Sequence, residues 1–299
     1  MSKIDTDTPG TWRQWLTDRT IRVLLAALLA LPYRARVPLC GWVMAQVIAP
    51  IAGWRGRIRN NLALVLPDMP DAEVRRLTRA VPDNIGRTVI EIYSGAEFIA
   101  RATSLPLEGA GVAALVAARA ANRPVILATA HFGNYDAARA ALIAQGYRLG
   151  ALYRPMKNPW FNAHYVAAIG VIGQPLFEQG RAGFGRMLRH LKDGGMLGIL
   201  PDQRMGSGMK LQFFGQEALT ALSPAEMALK YDADLIPTYA IRQPDGLTFR
   251  IKVDAPIPRG TAEQMTQALN DNLEALIRRH PDQWFWVHRR WKPGKSAPA

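Results

Sequence analysis

Beyond Pro106 the chain alternates short β-rich runs with helical stretches, and this alternation limits the possible folds more than any other feature. The predicted strands are residues 125–130, 149–153, 196–200, 235–241 and 249–253. Strands that alternate with helices pair in parallel and need helices on both faces, so the pattern predicts an α/β fold with a mostly parallel sheet flanked by helices. The turn at residues 243–246 predicts a hairpin between the last two strands, which makes the sheet mixed.

The first 54 residues contain two apolar runs, at 23–31 and 37–54, with arginines beside them and tryptophans at their flanks. Pro38, Gln46 and Pro50 dilute the second run, and no small-x-small cleavage site follows the first. The pattern predicts an N-terminal apolar, helical segment, residues 1–54, that lies in the interface of an anionic membrane. One true membrane span and ordinary buried core helices are the alternatives.

Residues 55–299 are predicted to form a single α/β domain. Its first part, residues 55–105, is expected to be helical, since apolar residues recur at three- and four-residue steps from Asp71 onward. Pro82 is an expected break or kink in this helical stretch. The sheet core then occupies residues 106–299.

The balance of charges points to an anionic partner. The chain has 37 Lys and Arg against 24 Asp and Glu, a net charge of +13, which suits nucleic acid, phosphate groups, an acidic protein or anionic lipid. A hydrophobic content of 49% excludes wholesale disorder. The single cysteine, Cys40, excludes an intrachain disulfide, and its apolar surroundings predict a buried, unreactive thiol.

Polar residues follow three of the predicted strands. The segments are 131–136, 154–158 and 201–208. In open α/β sheets ligands bind beyond the carboxyl ends of the strands, so these three segments are expected to form one site.

His131 and Asp136 are the predicted catalytic pair of that site. Gly133 permits a tight turn, and Asn134 or Asp136 can begin the next helix. The carboxylate could then reach one imidazole nitrogen and fix the tautomer, which leaves the other nitrogen free to take a proton. A histidine that only caps the helix is the alternative.

The other two segments carry less specific signals. Arg154 could hold a phosphate or stabilise a developing oxyanion, with an ordinary salt bridge as the alternative. Asp202, Gln203 and Arg204 either bind substrate or only end their strand.

Six segments of the chain carry a family resemblance. They are residues 59–62 with 66–67, 131–136, 153–159, 200–203, 213–215 with Thr220, and 284–292. In this order they resemble the bacterial lipid A biosynthesis acyltransferases, the late lauroyl and myristoyl transferases within the glycerolipid acyltransferase superfamily. Each segment is weak alone, but the ordered set is specific and covers nearly the whole chain.

The resemblance implies transfer of a fatty acyl chain from an acyl carrier protein thioester to a hydroxyl of a lipid A precursor. His131 would deprotonate the hydroxyl, Asp136 would orient the imidazole, and the alkoxide would attack the thioester directly, with no acyl-enzyme. Arg154 matches the family's Tyr-Arg-Pro arginine and is assigned to oxyanion or phosphate stabilisation. Asp202 and Gln203 match its Pro-Asp-Gln element near the acceptor.

Further site residues follow from the same matches. The expected substrate-binding residues also include Gly133, Asn134, Lys157, Asn158 and Arg204. Arg204 departs from the acidic or amide residue expected there. Phe132, Phe213 and Phe214 are acyl-pocket candidates, with core packing as the alternative for the last two. No cofactor and no metal are expected.

The implied partners are an acyl carrier protein, a lipid A precursor and an anionic membrane surface, at the cytoplasmic face of the bacterial inner membrane. No nucleic acid partner is expected, although the basic run at 288–292 would suit one in another context. A lysophospholipid acyltransferase using acyl-CoA or acyl-ACP is the alternative enzyme. A catalytically silent basic membrane-binding protein is the alternative from another class, and the intact pair of His131 and Asp136 argues against it.

Overall fold

The computed structural model describes residues 10–291, so Lys292 and the tail 293–299 lie outside the described residues. The helices are α1 (Trp12–Leu29), α2 (Tyr33–Val43), α3 (Ala49–Ile51), α4 (Trp54–Val65), α5 (Asp71–Ile92), α6 (Gly95–Ala102), α7 (Val112–Ala120), α8 (Tyr135–Ala144), α9 (Pro159–Ile172), α10 (Arg181–Lys192), α11 (Ser223–Lys230) and α12 (Ala262–Arg279). The strands are β1 (Leu107–Glu108), β2 (Val125–Ala128), β3 (Leu149–Tyr153), β4 (Leu176–Glu178), β5 (Met196–Ile199), β6 (Met209–Phe213), β7 (Gln216–Thr220), β8 (Asp234–Arg242) and β9 (Phe249–Val253).

Seven strands form the central sheet in the order β1-β9-β8-β2-β5-β3-β4. Every neighbouring pair is parallel except β8 and β9, which pair antiparallel. The predicted mixed, mostly parallel sheet and its β8–β9 hairpin are therefore confirmed. β6 and β7 form a separate antiparallel pair that the sequence did not predict.

Helices cover both faces of this sheet, as buried parallel strands require. Ile126 and Leu235 contact the side chains of α10, α11 and α12, whereas Val125 and Ile236 contact those of α7 and α8. Successive side chains along a strand point to opposite faces, which explains why neighbouring strand residues belong to different clusters.

The helical region before the sheet contains one departure from the sequence prediction. Pro82 lies inside α5, which continues from Asp71 to Ile92 as one helix, so of the expected break or kink the break is wrong. The lost hydrogen bond of a proline does not end a helix whose apolar face is fixed by packing. Here Leu77, Val81 and Ile90 are fully or almost fully buried.

The N-terminal helices pack against this same α5. Val37, Cys40 and Ala45 are buried, and burial raises the pKa of Cys40 to about 11, in agreement with the expected inert thiol. The opposite surface leaves large apolar side chains exposed, including Trp12, Val23, Leu24, Trp42 and Ile51. No single helix within residues 10–291 has the length and apolar character to cross a membrane; one pair, Tyr33–Ile51 with Trp54–Val65, meets that requirement but is bent by 85°.

Candidate active site

The site forms where two neighbouring parallel strands end. β2 and β5 pair with Ala128 opposite Ile199, and each strand is followed three residues later by a reactive side chain. These side chains are His131 and Asp202, which the parallel register brings to the same level of the sheet. The expectation that polar strand-end residues meet at one edge is correct for this pair.

Asp202 binds the imidazole of His131 directly. Its Oδ1 lies 2.8 Å from the Nδ1 of His131, and its Oδ2 accepts the backbone N–H of His131 at 2.9 Å. The indole Nε1 of Trp284 donates a third hydrogen bond to Oδ2 at 3.0 Å. The carboxylate is only 4% exposed, so these donors replace the water it has lost.

This contact fixes the chemical state of the imidazole. A carboxylate can only accept, so Nδ1 carries the proton and Nε2 keeps its lone pair. Nε2 accepts a hydrogen bond from the side-chain amide nitrogen of Gln203 at 3.3 Å, and 28% of the His131 side chain is exposed to solvent. A hydroxyl that enters from outside and replaces this amide can therefore give its proton to Nε2.

Burial and the ion pair have opposite effects on the pKa of each group, His131 and Asp202. Burial lowers the pKa of His131, but the charge of Asp202 and its hydrogen bond outweigh this effect and leave the pKa raised. Burial likewise raises the pKa of Asp202, and the interaction with His131 and the N–H donors leaves it lowered. Asp202 therefore stays ionised and stabilises the imidazolium that forms when His131 accepts a proton.

The predicted contact between Asp136 and this imidazole is corrected by the structure. Asp136 lies in the first turn of α8, where its Oδ1 accepts the Nε–H of Arg139 at 2.8 Å. Arg139 also donates to the carbonyls of Gly173 and Ile169, both at 2.9 Å. Since both side chains are about 7% exposed, the pair is a buried tie between α8 and the end of α9.

Gly133 and Asn134, both expected to bind substrate, shape the loop after His131. Gly133 has a φ of +54°, and a Cβ there would lie 2.0 Å from the carbonyl oxygen of Ala240, so only glycine fits. The Asn134 Oδ1 accepts the N–H of Asp136 at 3.1 Å and caps α8. Its Nδ2 donates to the Oε2 of Glu91 at 2.8 Å.

A buried ion pair supports this loop from below. Arg242 on β8 donates through its second terminal nitrogen to the Oε2 of Glu91 at 2.8 Å, and neither side chain is more than 7% exposed. Gln283 accepts the Gly133 N–H through its backbone carbonyl at 2.9 Å, and its side-chain amide bonds the backbone of Arg242 in both directions. The loop after His131 is thus held by α5, by β8 and by residues 283–291, which we call the C-terminal segment.

The second predicted segment lies farther from His131 than expected. Arg154 follows β3 and is exposed, but β5 separates β3 from β2 in the sheet. Lys157 is exposed, and its carbonyl accepts the side-chain amide of Gln14 at 3.2 Å. Asn158 caps α9 through its Oδ1 and donates to the carbonyl of Gln14 at 2.8 Å, so its side chain joins α1 to α9.

The third predicted segment continues from Asp202 into the site wall. Gln203 faces His131, and the backbone N–H of Arg204 donates to the Nε2 of His288 at 2.9 Å. His288 is half-buried, and burial, the largest influence, lowers its pKa. The wall of the site is therefore built by both β5 and the C-terminal segment.

The three phenylalanines suggested as acyl-pocket residues belong to a core. Phe132, Phe213 and Phe214 are at most 3% exposed and share a cluster with Trp284 and Trp286. None of them lines the apolar cavity beside the site, so core packing, the alternative expected for Phe213 and Phe214, describes them.

That apolar cavity lies between the sheet and helices α8 and α9. It has a volume of about 80 Å³. Its lining is mostly aliphatic and aromatic: Leu127, Thr129, Tyr135, Asp136, Ala138, Arg139, Leu142, Leu149, Ala151, Leu152, Tyr153, Tyr165, Ile169, Leu176, Gly198, Leu200 and Thr238. Tyr135 also touches the imidazole, with ring centroids 5.5 Å apart, so the cavity adjoins His131.

Gln283, Glu91 and Arg242 were not predicted from the sequence as site residues, and Trp284 was included only in the family segment 284–292. Their polar atoms meet the site only through contacts between residues 41 to 199 positions apart. Asp202 was singled out, but as an acceptor-binding residue. Asp202 lies three residues beyond the end of a buried strand, and His131 lies at the same distance beyond its own strand. This shared position was the sequence signal that the two residues form a pair.

An ionised carboxylate beside an oriented imidazole is a pair of groups that can accept a proton, and an apolar cavity able to hold hydrocarbon lies next to it. The chain matches the family described as bacterial lipid A biosynthesis acyltransferase over residues 2–293, and it belongs to that family. It is therefore an acyltransferase of the lipid A biosynthesis type.

Similar curated proteins agree on the activity. The chain is 26% identical to the lipid A biosynthesis lauroyltransferase of Escherichia coli K12, over 94% of this chain and 92% of that one. It is 23% identical to the lipid A biosynthesis acyltransferase of Haemophilus influenzae, over 93% and 87%. It is also 25% identical to the phosphatidylinositol mannoside acyltransferase of Mycobacterium tuberculosis H37Rv, over 79% and 76%.

Proposed function

We propose that this protein transfers a fatty acyl chain from an acyl carrier protein thioester to a hydroxyl of a lipid A precursor at the cytoplasmic face of the inner membrane. The observation that carries the proposal is the 2.8 Å contact between the Nδ1 of His131 and Asp202, which leaves Nε2 unprotonated and able to accept a proton beside an apolar cavity. The family membership supports the lipid A precursor as acceptor.

The chemistry follows from the two protonation states of His131. Neutral His131 takes the proton of the acceptor hydroxyl at Nε2, while Asp202 stabilises the imidazolium that results. The alkoxide oxygen attacks the thioester carbonyl, and the carbon–sulfur bond then breaks. The imidazolium gives its proton to the thiolate that leaves, so no acyl-enzyme forms and the base is restored.

The apolar cavity supplies a place for the acyl chain. Its walls come from the sheet and from α8 and α9, and it adjoins the His131 ring through Tyr135. A hydrocarbon chain that enters it leaves water, which stabilises the complex by roughly 0.8 kcal/mol per buried methylene. Tyr135 lines the cavity and contacts the imidazole, which supports a bound chain whose thioester end lies near the base.

Membrane association is proposed for the N-terminal helices. Trp42 and Ile51 are 56% and 82% exposed, and they lie on the surface of α2 and α3 that faces away from α5. Arg55, Arg57 and Arg59 follow on α4, so apolar and cationic groups are neighbours, as an anionic lipid surface requires.

A mannosylated acceptor is the second candidate. Its basis is the similarity to phosphatidylinositol mannoside acyltransferases, whose name specifies a different glycolipid acceptor. Both candidates transfer the acyl group to a lipid that carries a sugar.

The proposal is tested by incubating the purified protein with acyl-ACP or acyl-CoA and with each acceptor, and by following the acylated lipid by mass spectrometry. We expect transfer from acyl-ACP to the lipid A precursor, and a loss of about 100-fold or more in His131→Ala, as for removal of a general base. Transfer only from acyl-CoA to a lysophospholipid would replace the proposal with its alternative. Full activity of His131→Ala would exclude the mechanism.

A further inference from the structure

A second large depression, separate from the apolar cavity, lies between α4 and the C-terminal segment. It is a groove of about 710 Å³. Its lining residues are Gly53, Gly56, Arg57, Asn60, Asn61, Leu64, Arg289 and Trp291. Two of these are arginines, two are asparagines and none is acidic, so the groove suits an anionic ligand with polar groups.

The two arginines are held differently, and both keep donors for a ligand. Arg57 donates to the carbonyl of Val287 at 3.3 Å through one terminal nitrogen, which fixes the direction of its side chain. Arg289 is exposed and makes no ion pair or hydrogen bond to another described residue through its guanidinium. A planar guanidinium can bind two oxygens of either a carboxylate or a phosphate. A phosphate monoester has a third terminal oxygen and a larger negative charge, so it suits two guanidinium groups better than a single carboxylate does.

The remaining walls suit a sugar joined to a lipid. Asn61 is occupied, because its Nδ2 donates to the carbonyls of Trp286 and His288 at 2.7 and 2.9 Å, which braces the C-terminal segment. Asn60 is exposed and presents an amide to the groove. Leu64 and Trp291 offer apolar contact, as a sugar face or the first methylenes of an acyl chain would need.

The groove and the catalytic site are connected through one stretch of chain. The Phe285 ring lies 5.8 Å from the His131 ring, and His288 accepts the backbone N–H of Arg204 in the site wall. Arg289, which lines the groove, follows His288 directly. Phe285 and Arg289 are four positions apart, so their Cα atoms are at most about 14 Å apart even in an extended chain.

We infer that this groove binds the phosphorylated sugar headgroup of the acceptor lipid and thereby delivers its hydroxyl to His131. The inference rests on the proposed function, because it takes the acceptor to be a phosphorylated glycolipid. Exposed Ile51 comes two positions before Gly53 of the groove, so apolar surface for the acyl chains follows close to the residues that would bind the headgroup.

The inference is tested by measuring the equilibrium binding of a lipid A precursor in detergent micelles to the full-length protein, with no acyl donor present. Arg57→Gln and Arg289→Gln should each raise Kd about tenfold, the usual loss for a hydrogen bond to a charged group. Arg59→Gln is the matched control, because Arg59 is exposed on the same helix but does not line the groove. The control should bind as the wild type does.

Two further measurements identify the ligand. With a phosphatase-treated precursor the variants and the wild type should bind equally weakly, since the phosphate is the group that the arginines hold. Sedimentation with phosphatidylglycerol vesicles should be the same for Arg57→Gln, Arg289→Gln and Arg59→Gln. Lower vesicle binding by the groove variants alone, with an unchanged Kd for the precursor, would assign the groove to bulk phospholipid and overturn the inference.

The experiments distinguish a failure of the groove inference from a failure of the proposed function. If the wild type transfers no acyl chain to the precursor, the proposed function fails, yet the Kd comparison still decides whether the groove binds it. If transfer occurs and neither groove variant changes Kd, the inference alone fails.

Discussion

At the residue scale, the correction from Asp136 to Asp202 shows what spacing along a chain can establish. Asp136 lies five positions after His131 at the start of the next helix, yet its carboxylate pairs with Arg139 inside the protein. The carboxylate that reaches the imidazole comes from 71 positions away, across a strand pair. A local motif thus identified the histidine, whereas the carboxylate that contacts it depends on strand order, which no local pattern contains.

The buried pair of Asp136 and Arg139 makes a stability prediction. Asp136→Asn leaves Arg139 as an uncompensated buried charge, so we expect a loss of about 3–5 kcal/mol in the free energy of unfolding. Replacing both residues together, as Asp136→Leu with Arg139→Met, should recover most of this loss, because it removes both charges. Urea unfolding followed by circular dichroism measures the difference.

An opposite outcome would return Asp136 to the chemistry. If Asp136→Asn unfolds as the wild type does while its kcat falls 100-fold, the carboxylate acts in the reaction rather than in holding α8 to α9.

Arg154 gives a second prediction at the scale of a single residue, which concerns the role of its guanidinium. Two strand spacings, about 10 Å, separate β3 from β2, so the exposed guanidinium is better placed to hold an anionic group of a bound substrate than to meet the reacting carbonyl. Arg154→Lys should then raise KM while kcat at saturation changes little, because lysine lacks the planar fork.

Steady-state kinetics decide this, with each substrate varied at a saturating level of the other. A fall in kcat with an unchanged KM would instead assign Arg154 to the developing oxyanion.

At the element scale, the sequence predicted long periodic features and missed short ones. The five predicted strands are present in the sheet, because buried β-rich runs bounded by turn residues leave a clear pattern. β1 and β4 have two and three residues, too few to show a period. The hairpin of β6 and β7 was missed because its turn uses Phe214 with a φ of +55°, a conformation that an aromatic residue rarely adopts.

The order of strands was also beyond local patterns. β5 lies between β2 and β3, although it follows β3 in the chain, and this order brings Asp202 rather than Arg154 beside His131. Which strand becomes the neighbour depends on the packing of helices on the sheet, where contacts are distant in sequence.

The N-terminal helices give a prediction for binding to anionic membranes. Trp42→Asp together with Ile51→Asp should lower sedimentation with anionic vesicles by about tenfold or more, since each change removes a large apolar side chain that lipid would bury. Val116→Asp is a suitable control, because Val116 on α7 is 55% exposed and lies outside this region. Equal loss in the control, or no loss in the double variant, would place the lipid contact elsewhere.

At the scale of the whole molecule, the apolar cavity and the groove are two separate recesses. The cavity under α8 and α9 adjoins His131 through Tyr135, whereas the groove beside α4 shares no lining residue with the cavity. Separate recesses are therefore available for the hydrocarbon chain and the anionic headgroup of the proposed reaction. Excess positive charge, +13 over the chain, favours the anionic partners that such a reaction requires.

The central claim is that His131 acts as a base whose pKa is raised by Asp202, and the pH dependence of kcat/KM tests it most directly. Only neutral imidazole can take the proton, so the rate should rise with pH through a pKa above the ordinary histidine value. Asp202→Asn removes the carboxylate charge that raises the pKa of His131 and leaves the burial that lowers it. The rise of kcat/KM with pH should therefore occur at lower pH in this variant. The maximum kcat/KM reached at high pH should also fall, by about 100-fold, because the imidazolium loses the carboxylate charge that stabilises it. A profile of Asp202→Asn that keeps both the wild-type limb and the wild-type plateau, with the shift found in Asp136→Asn instead, would contradict the account.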